Sequence, residues 1–373
     1  MKSEASLSFV IIAGQFPPPL NGFTYITQEV TKTLHVNNNL TVIDIASHIP
    51  NNSVLYHLYR LILTLKGIWT LFCKSFNNNR RFYVACEGGL GLVYTTMLCT
   101  TARALGFPIY IHHHSFAYIE DSKVLMACLL RVLGKRAVHI FLCPVMAQYF
   151  ACRYRRPIKS LVVSNSAFVD AVHVMPRIWK TGKPLAIGLL SNLNNEKGLG
   201  LFLEVLRGAA SEGLSIMGVL AGPPVSNYDR NIIIAAKQKL GEKLDYRGPV
   251  YGKDKADFFN SIDVFVFPTR YANEAQPTVI FEAMAHGVPV LSYDRGCIRG
   301  QIGACGATLE RDGDFIAFAL DRLKTYMASP MALQELKLET KAAFLDDRAQ
   351  AKQRMAMLFD LQPLAVQPSP NRG

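Results

Sequence analysis

The segment VFVFPTRYANEAQPTVIFEAMAHGVPVLSYDRG, residues 264–296, decides the fold. It opens on an uninterrupted apolar run, 264–267, and closes on a second, 288–293, with a helical pattern between them that begins near Pro277. Continuous Val/Ile/Phe runs are typical of strands that are buried on both faces of a parallel sheet. Proline suits the first turn of a helix. The segment is therefore predicted to be a strand, a loop, a helix and a second strand.

The same alternation runs along the rest of the chain and indicates βα units wound around parallel sheets. It breaks once, at 174–184, where two prolines, a glycine and three basic residues predict a linker. A helical pattern over 331–361 follows the second series, and residues 362–373 are predicted to fray. The predicted strands are 7–13, 40–46, 81–86, 108–112, 138–143 and 160–164 before the break, and 185–190, 216–221, 244–247, 264–267 and 288–293 after it.

These patterns predict an α/β protein with two doubly wound, Rossmann-like domains facing a central cleft. A chain of 373 residues also exceeds what one core usually organises, since single cores rarely grow beyond ~250–300 residues. The predicted limits are 1–175 for the N-terminal domain, 176–184 for the linker, 185–345 for the C-terminal domain, and 346–373 for a helix and tail that return to the first domain.

Composition narrows the class of protein. Hydrophobic residues make up 50% of the chain and charged residues 18%, which excludes a disordered protein. The net charge of +12 favours anionic partners, namely nucleic acid, phosphorylated ligands or an anionic membrane face. No block of five or more like charges occurs, so no nucleic-acid-binding arm is expected. The eight cysteines include no C-x-x-C pair and lack the spacing of a zinc site.

Two apolar stretches bear on membranes. The start of the chain reads as a first strand rather than a signal peptide. The longest apolar stretch, 54–76, is interrupted by His57, Arg60, Lys66 and Lys74, so it is not expected to span a bilayer. Two interpretations of this stretch stay open: a helix that lies on a membrane surface, and a buried crossover helix.

Loops that directly follow strands are the candidates for a ligand site, because open parallel sheets bind ligands at the carboxyl ends of their strands. The loop AGQFPPPLNGFTYITQEV, 13–30, leads into a helix from about Thr24, whose start would favour an anion; a rigid turn without ligand is the alternative. The loop LLSNLNNEKGLGLFLEVL, 189–206, places Lys197 at another helix start. That lysine is either a mobile point charge for a diphosphate or simply solvated.

The loop inside 264–296 carries two carboxylates. Glu274 precedes the helix and Glu282 lies about one and a half turns into it. The amides of residues 275–278 would form an anion site at the helix start, and Glu282 could accept hydrogen bonds from ribose hydroxyls. The alternatives are a Glu274 that caps the helix and a Glu282 that is exposed.

Two other patterns suggest metals only superficially. The histidines 112–114 end a strand, where side chains alternate between faces, so a shared metal is not expected. One or two of them could line the cleft as hydrogen-bond donors. Asp312-Gly313-Asp314 resembles an acidic metal clamp, but its place before a helical run favours N-capping.

Together these loops resemble the family 4 glycosyltransferases, a large retaining group with the GT-B architecture. The run E-A-Q-P-T-V-I-F-E-A-M-A-H-G-V-P-V, from Glu274, resembles the family signature. S-N-L-N-N-E-K-G is similar to its donor-diphosphate motif, P-P-P-L-N-G to its first acceptor-side loop, and the helical tail to the segment that crosses back. The resemblance implies an acceptor-side first domain and a nucleotide-sugar-binding second domain.

The resemblance assigns roles by matched position. Its implied catalytic residues are Glu274 at the donor sugar, Lys197 at the diphosphate and His114 beside the reacting sugar. The implied donor-binding residues are Glu282 at the ribose, with Asn192, Ala275, Gln276, Pro277, Thr278, Gly22, Arg270 and Arg295. No metal and no cofactor are expected besides the donor substrate.

Two positions depart from the family pattern. Asn192 stands where many members have arginine, so one positive charge is missing, and Arg270 or Arg295 is the candidate to replace it. Gly22-Phe23 stands where a doubled glycine is common. Both departures lie in the predicted diphosphate site. A weakly active member of the family is therefore an alternative.

The implied reaction is retaining transfer by front-face attack, in which the departing phosphate takes the acceptor proton. The implied acceptor is a glycan or a polyprenyl-linked lipid in bacterial capsule, O-antigen, lipopolysaccharide or exopolysaccharide synthesis, with the protein in the cytoplasm, at the inner membrane face. The alternatives are a nucleotide-sugar epimerase of the same fold and a non-catalytic nucleotide-sugar-binding partner. A phosphorylase would be longer and would need a cofactor lysine motif that is not seen.

Overall fold

The computed structural model describes residues 8–36, 38–47, 49 and 54–368. The chain forms two compact units, Met1–Phe168 with Gln350–Gly373, and Val169–Ala349. The strands are β1 (Ser8–Gly14), β2 (Asn38–Asp44), β3 (Arg80–Cys86), β4 (Ile109–His113), β5 (Val138–Phe141), β6 (Ile158–Val162), β7 (Leu185–Leu190), β8 (Ile216–Ala221), β9 (Leu244–Tyr246), β10 (Val264–Phe267), β11 (Val290–Tyr293), β12 (Gly306–Leu309) and β13 (Leu364–Val366).

Helices alternate with these strands, as the sequence predicts. They are α1 (Gly22–His35), α2 (Val54–Cys73), α3 (Gly91–Ala104), α4 (Ala117–Glu120), α5 (Val124–Leu133), α6 (Pro144–Arg153), α7 (Leu199–Ser211), α8 (Asn227–Leu240), α9 (Gly252–Ser261), α10 (Thr278–Ala285), α11 (Ile298–Ile302), α12 (Phe315–Ala328) and α13 (Pro330–Ala356). The division between the units falls inside α13, whereas the sequence places the start of the returning segment at 346.

The first unit is built on a sheet in the order β2-β1-β3-β4-β5-β6-β13. Its strands are parallel except β13, which pairs antiparallel with β6. The central strand β1 is buried on both faces from Val10 to Ala13, as its unbroken apolar run predicts. The predicted fraying of 362–373 is wrong for 364–366, because these residues form β13. Residues 369–373 of that prediction lie outside the described residues.

The second unit has a sheet in the order β9-β8-β7-β10-β11-β12, and all its strand pairs are parallel. This order is the doubly wound arrangement in which the strand order reverses between the first and fourth strands, here β7 and β10. The predicted linker region, 174–184, contains neither helix nor strand and lies within the second unit.

One buried ion pair fixes β7 beside β10. Asp263, fully buried just before β10, accepts a hydrogen bond from the Ala186 backbone N–H at 3.0 Å and one from Lys337 Nζ at 2.7 Å. Burial lowers the pKa of Lys337, although Asp263 opposes this shift. The two strands that lead into the loops of Lys197 and Glu274 are therefore held in register at their amino-terminal ends.

Candidate active site

The loops after β7 and β10 lie side by side at the point where the strand order of the second unit reverses. The Arg270 backbone N–H donates to the Glu196 carbonyl at 2.7 Å, which joins the two loops directly. Gly198 has a positive φ of 92°, and a Cβ there would lie 2.5 Å from Pro268 Cγ and 2.8 Å from the Pro268 carbonyl. Only glycine allows this approach. Adjacent carboxyl ends of parallel strands are where doubly wound sheets bind ligands.

Lys197 and Glu274, predicted separately from two motifs, meet at this point. Lys197 Nζ donates to the Glu274 carboxylate and lies 4.4 Å from the centroid of the Tyr271 ring. Glu274 is 9% exposed and also accepts a hydrogen bond from Thr269 Oγ1 at 3.3 Å. The alternative in which Glu274 caps the helix is wrong, because α10 has Pro277 at its N-cap and no side-chain cap.

A second glycine shapes the loop that carries Glu274. A Cβ on Gly296, whose φ is 59°, would lie 2.6 Å from the carbonyl oxygens of both Glu274 and Ala275. The Cys297 backbone N–H donates to the Ala275 carbonyl at 2.7 Å. The segment after β11 therefore closes over the loop after β10 and fixes the position of Glu274.

The donor-binding residues predicted around α10 lie at its start. Ala275 and Gln276 are buried, and the Pro277 carbonyl accepts from Gln301 Nε2 at 2.9 Å. Thr278 begins the helix. The first-turn amides of a helix give a positive electrostatic end that suits a phosphate.

Glu282 is partly buried on α10 and is not a free carboxylate. Its Oε1 accepts a hydrogen bond from Lys255 Nζ, on α9, at 2.6 Å. The alternative of a fully exposed Glu282 is therefore wrong. Lys255 was missed by sequence reasoning, because it lies in a polar helix with no recognisable motif.

The two arginines proposed to replace the missing charge at Asn192 have different surroundings. Arg295 is buried, and its guanidinium donates to the backbone carbonyls of Tyr271 and Ala272. Arg270 is exposed, with Nη2 donating to the Tyr293 hydroxyl at 2.6 Å. Asn192 itself is exposed. Arg295 therefore braces the loop that carries Glu274, while Arg270 keeps its charge near solvent.

In the first unit, the residue that follows Gly22 contacts His114. Gly22 begins α1 behind the capping residue Asn21, and a Cβ on it would meet nothing within 4 Å. The ring of the next residue, Phe23, contacts the His114 ring edge-on with centroids 5.3 Å apart. His114 Nε2 is buried with no hydrogen-bond partner, and burial lowers the His114 pKa to about 3. The neutral imidazole can therefore offer a hydrogen bond but not a charge.

The other two histidines of the triplet point to different partners, as the strand alternation predicts. His112 Nδ1 is 2.6 Å from the Tyr83 hydroxyl, and His113 lies 3.0 Å from both the Tyr118 hydroxyl and His139 Nδ1. Within the described ranges, no three His, Cys, Asp or Glu side chains are grouped to hold a metal. The Asp314 side chain accepts from the backbone N–H groups of Ile316 and Ala317, so the predicted N-cap is confirmed.

The first unit has its own polar cluster where its strand order reverses, between β1 and β3, and sequence reasoning missed it. Glu87, directly after β3, accepts from Gln15 Nε2 at 2.6 Å and from Arg60 Nη2 at 2.5 Å. Arg60 projects from α2 and also donates to the Ile45 carbonyl at 3.1 Å. Its guanidinium carbon lies 4.4 Å from the Tyr94 ring centroid. The available signal was an arginine inside an otherwise apolar helix.

Comparison with known protein families finds a match within the second unit. Residues 184–325 match the family model described as glycosyl transferases group 1. A GDP-mannose-dependent alpha-mannosyltransferase of Mycolicibacterium smegmatis is 27% identical over 194 residues, 47% of this chain and 49% of that protein. The alignment thus spans about half the length of this relative.

Solved structures resemble the whole chain. HepE of Anabaena in complex with UDP-glucose matches with a TM-score of 0.68 at 15% identity, over 94% of this chain and 99% of that one. The lipopolysaccharide outer core galactosyltransferase WaaB, in its apo form, matches with a TM-score of 0.68 at 15% identity, over 95% and 100%. At such identities the likeness shows the fold, and it confirms the prediction of two Rossmann-like domains of the GT-B architecture.

Proposed function

We propose that this chain, whose residues 184–325 match the glycosyl transferases group 1 model, is a family 4 glycosyltransferase that transfers a sugar from a nucleotide-diphosphate donor to an acceptor hydroxyl. The observation that carries the proposal is the meeting of Lys197 with Glu274 where the strand order of the second unit reverses. Two residues of opposite charge are brought together by separate motifs at the edge of the sheet where ligands bind.

The leaving group in such a transfer is a nucleoside diphosphate, so the site must stabilise developing negative charge. Lys197 is partly exposed and sits on a loop, which allows its ammonium group to leave Glu274 for a phosphate oxygen. The positive end of α10 adds a fixed dipole. Preorganised groups of this kind are worth about 10²–10³ in rate for each donor removed. The proposal assigns charge compensation to these groups and expects no metal cofactor.

Transfer with retention is proposed to follow a front-face route. The bond from the anomeric carbon to the phosphate oxygen breaks and a bond to the acceptor oxygen forms on the same face. The departing phosphate oxygen takes the acceptor proton, so no protein base is required. Glu274 lies beside Lys197 and would face the positive charge that develops on the sugar, and His114 would supply a neutral hydrogen bond.

Ribose recognition is proposed to fall to Glu282. Its carboxylate is already held by Lys255, so ribose hydroxyls would bind to a fixed group. Carboxylates that accept from hydroxyls make hydrogen bonds stronger than neutral pairs. The sugar and base stay open, since the relatives named above use GDP-mannose and bind UDP-glucose.

The acceptor is proposed to be a glycan or a polyprenyl-linked glycan in the assembly of a bacterial surface polysaccharide, at the inner face of the cytoplasmic membrane. The net charge of +12 favours an anionic membrane face. Of the described helices, none has the length and apolarity to cross a bilayer. Contact with lipid is proposed to be peripheral.

A panel of nucleotide sugars tests the proposal. Thermal shift identifies which UDP-, GDP- and dTDP-sugars stabilise the protein, and chromatography of the products then separates transfer, epimerisation and donor hydrolysis. We expect one donor to be consumed in the presence of a glycan or lipid-linked acceptor, with Glu274→Ala inactive but folded.

Two results would redirect the proposal. Conversion of the donor to its epimer without an acceptor would indicate an epimerase. If the wild-type protein bound a donor without turning it over, it would be a non-catalytic partner. The asparagine at position 192, where many family members have arginine, favours this alternative. Wild-type turnover by Glu274→Ala would remove that residue from the reaction.

A further inference from the structure

We propose that the outer face of α2 docks the protein on an anionic lipid surface. The helix has an inverted distribution of polarity. The side it turns to the sheet carries the buried residues Arg60, Thr64, Gly67 and Leu71, two of which are polar. The side it turns to solvent is almost wholly apolar. Its large exposed apolar residues are Val54, Leu55, Leu58, Tyr59, Leu61, Ile62, Leu65, Trp69 and Phe72.

The exposed residues form one stripe. Leu58, Ile62, Leu65, Trp69 and Phe72 recur at spacings of three and four, which places them on one side of a helix. Trp69 is 67% exposed and Leu65 is 52% exposed. The 20 residues of α2 extend for about 30 Å. Contiguous exposed apolar patches on this scale mark interaction surfaces rather than ordinary surface residues.

The helix cannot turn this stripe inward. Arg60 is fixed by Glu87 at 2.5 Å and by the Ile45 carbonyl at 3.1 Å. Gly67 faces Ile43 so closely that a Cβ would lie 2.5 Å from Ile43 Cγ2. A larger residue in place of Gly67 would therefore push the helix off the sheet. The side of α2 that packs on the sheet therefore carries polar and small residues, and the apolar side faces outward.

Charge selects lipid as the occupant. The charged side chain exposed on α2 is Lys66, and Lys74 follows at the end of the helix. No Asp or Glu occurs in the sequence between Asp44 and Glu87. Apolar residues beside lysines fit an acyl and anionic headgroup layer, and tryptophan prefers that interface. A second copy of this chain would instead bring Lys66 and Lys74 against the same residues.

The proposal deepens the proposed function and rests on it for the nature of the acceptor. Through Arg60 and Glu87, the helix that would lie on lipid is bonded to the residue directly after β3. It thus connects the lipid surface to the ligand-binding edge of the first unit's sheet, where a lipid-linked acceptor would arrive.

Vesicle binding tests the surface without any donor. Purified protein is mixed with vesicles of phosphatidylcholine alone, or of phosphatidylcholine with phosphatidylglycerol, and separated by flotation. We expect binding to the anionic vesicles and little to the neutral ones. The chain has two tryptophans, and Trp179 is buried, so a blue shift of emission on binding reports Trp69.

Variants in the stripe locate the contact. Leu65→Glu and Trp69→Glu are expected to abolish flotation, and Lys66→Gln to weaken it about fivefold. These side chains are exposed, so thermal unfolding should match wild type. The matched control is Val225→Glu, which introduces the same charge at an exposed apolar residue of the second unit. It should float as wild type does.

Three outcomes would overturn the proposal: equal flotation with both vesicles, wild-type flotation by Leu65→Glu and Trp69→Glu, or no flotation together with a dimer that those variants dissociate. The last would assign the stripe to a second copy. Lys197→Ala should bind vesicles normally, so failure of docking and failure of the proposed transfer are distinguished.

Discussion

Both units place a cation on a carboxylate where the strand order of their sheet reverses, but the two pairs are held differently. In the second unit the pair is Lys197 with Glu274, and in the first it is Arg60 with Glu87. The Lys197 side chain is 21% exposed and extends from a loop, whereas the Arg60 side chain is 3% exposed and extends from a helix.

This difference in burial gives the two cations different roles: a ligand can draw Lys197 away from its carboxylate, whereas Arg60 stabilises the fold. Lys197 makes its polar side-chain contact with Glu274 and lies over Tyr271. Arg60 is bonded to Glu87 and to the Ile45 carbonyl, and it stacks on Tyr94. Moving Arg60 would leave several buried groups unpaired, which is costly. The same topology therefore holds a partly exposed cation in one unit, where we propose the chemistry, and a fixed, buried cation in the other.

The largest expected effect is on transfer by Lys197→Ala. Loss of the mobile charge should lower turnover about 10²- to 10³-fold, because the leaving diphosphate loses its cation. The protein should remain folded. Turnover with the donor found in the panel and circular dichroism measure the two effects.

Lys324→Ala is the control, since Lys324 pairs with Glu212 at the surface of the same unit at 2.7 Å. Its turnover should equal that of wild type. If Lys197→Ala retained full activity, the pair in the second unit would be as structural as the one in the first.

Stability should respond most to Arg60→Ala. Breaking a buried ion pair by removing one partner typically costs about 3–5 kcal/mol, here because Glu87 loses its cation. Urea unfolding measures the loss. Arg299→Ala, which removes an exposed cation from Asp294 and Glu310, should cost less than about 1 kcal/mol. Equal losses in the two variants would contradict the assigned roles.

Acid should weaken the first unit more than the second. Burial lowers the pKa of four described histidines in the first unit, His112, His113, His114 and His139, to about 3 for the last two. In the second unit it lowers the pKa of His286 to about 4. Below the ordinary value of 6.5 the unfolded chain binds protons that the folded chain excludes, so stability falls as the pH falls from about 6.5 towards 4.

Hydrogen exchange at about pH 7 and about pH 5, corrected for the intrinsic rate, measures this difference. Protection of β4 should decrease more than protection of β10. Equal decreases, or a gain of protection in acid, would show that the buried histidines do not set the acid response.

The smallest expected effect is a gain from Asn192→Arg. Asn192 is exposed on the loop after β7 that also carries Lys197, so we expect a longer cation there to reach a phosphate, and one added hydrogen bond should tighten nucleotide binding about fivefold to tenfold. Calorimetry with UDP and GDP measures it. Asn195→Arg adds the same charge at another exposed position of this loop and should have little effect. Equal gains would indicate long-range attraction only.

Most of the fold could be predicted because its strands are continuous apolar runs. Each predicted strand overlaps one of β1 to β11, although residue 7 of the first lies outside the described residues. β12 was missed, since Gly306–Leu309 contains a glycine, an alanine and a threonine and is only half-buried. β13 was missed because the proline-rich segment around it predicts a frayed chain end. The strand forms because it pairs with β6.

The site residues that belong to a local sequence motif could be predicted. The residues that reach the site only through contacts made by the folded chain could not. Lys197 and Glu274 were both predicted from their loops, and the structure brings them together. Their mutual contact was not foreseen, because it depends on β7 lying beside β10. Lys255 and the Arg60–Glu87 pair were missed, since each joins residues far apart in sequence without a local pattern.

The return of the chain to β6 makes the first unit discontinuous along the sequence. Ala351, Met355 and Leu358 complete its core, and β13 covers the edge of β6. During synthesis the ribosome delivers all of 169–349 before these pieces. Until then the nascent first unit has an unpaired edge at β6 and an incomplete core. An unpaired strand edge can pair with the wrong strand and lead to aggregation. Its maturation is tied to residues translated after the second unit, whereas the second unit can finish on its own.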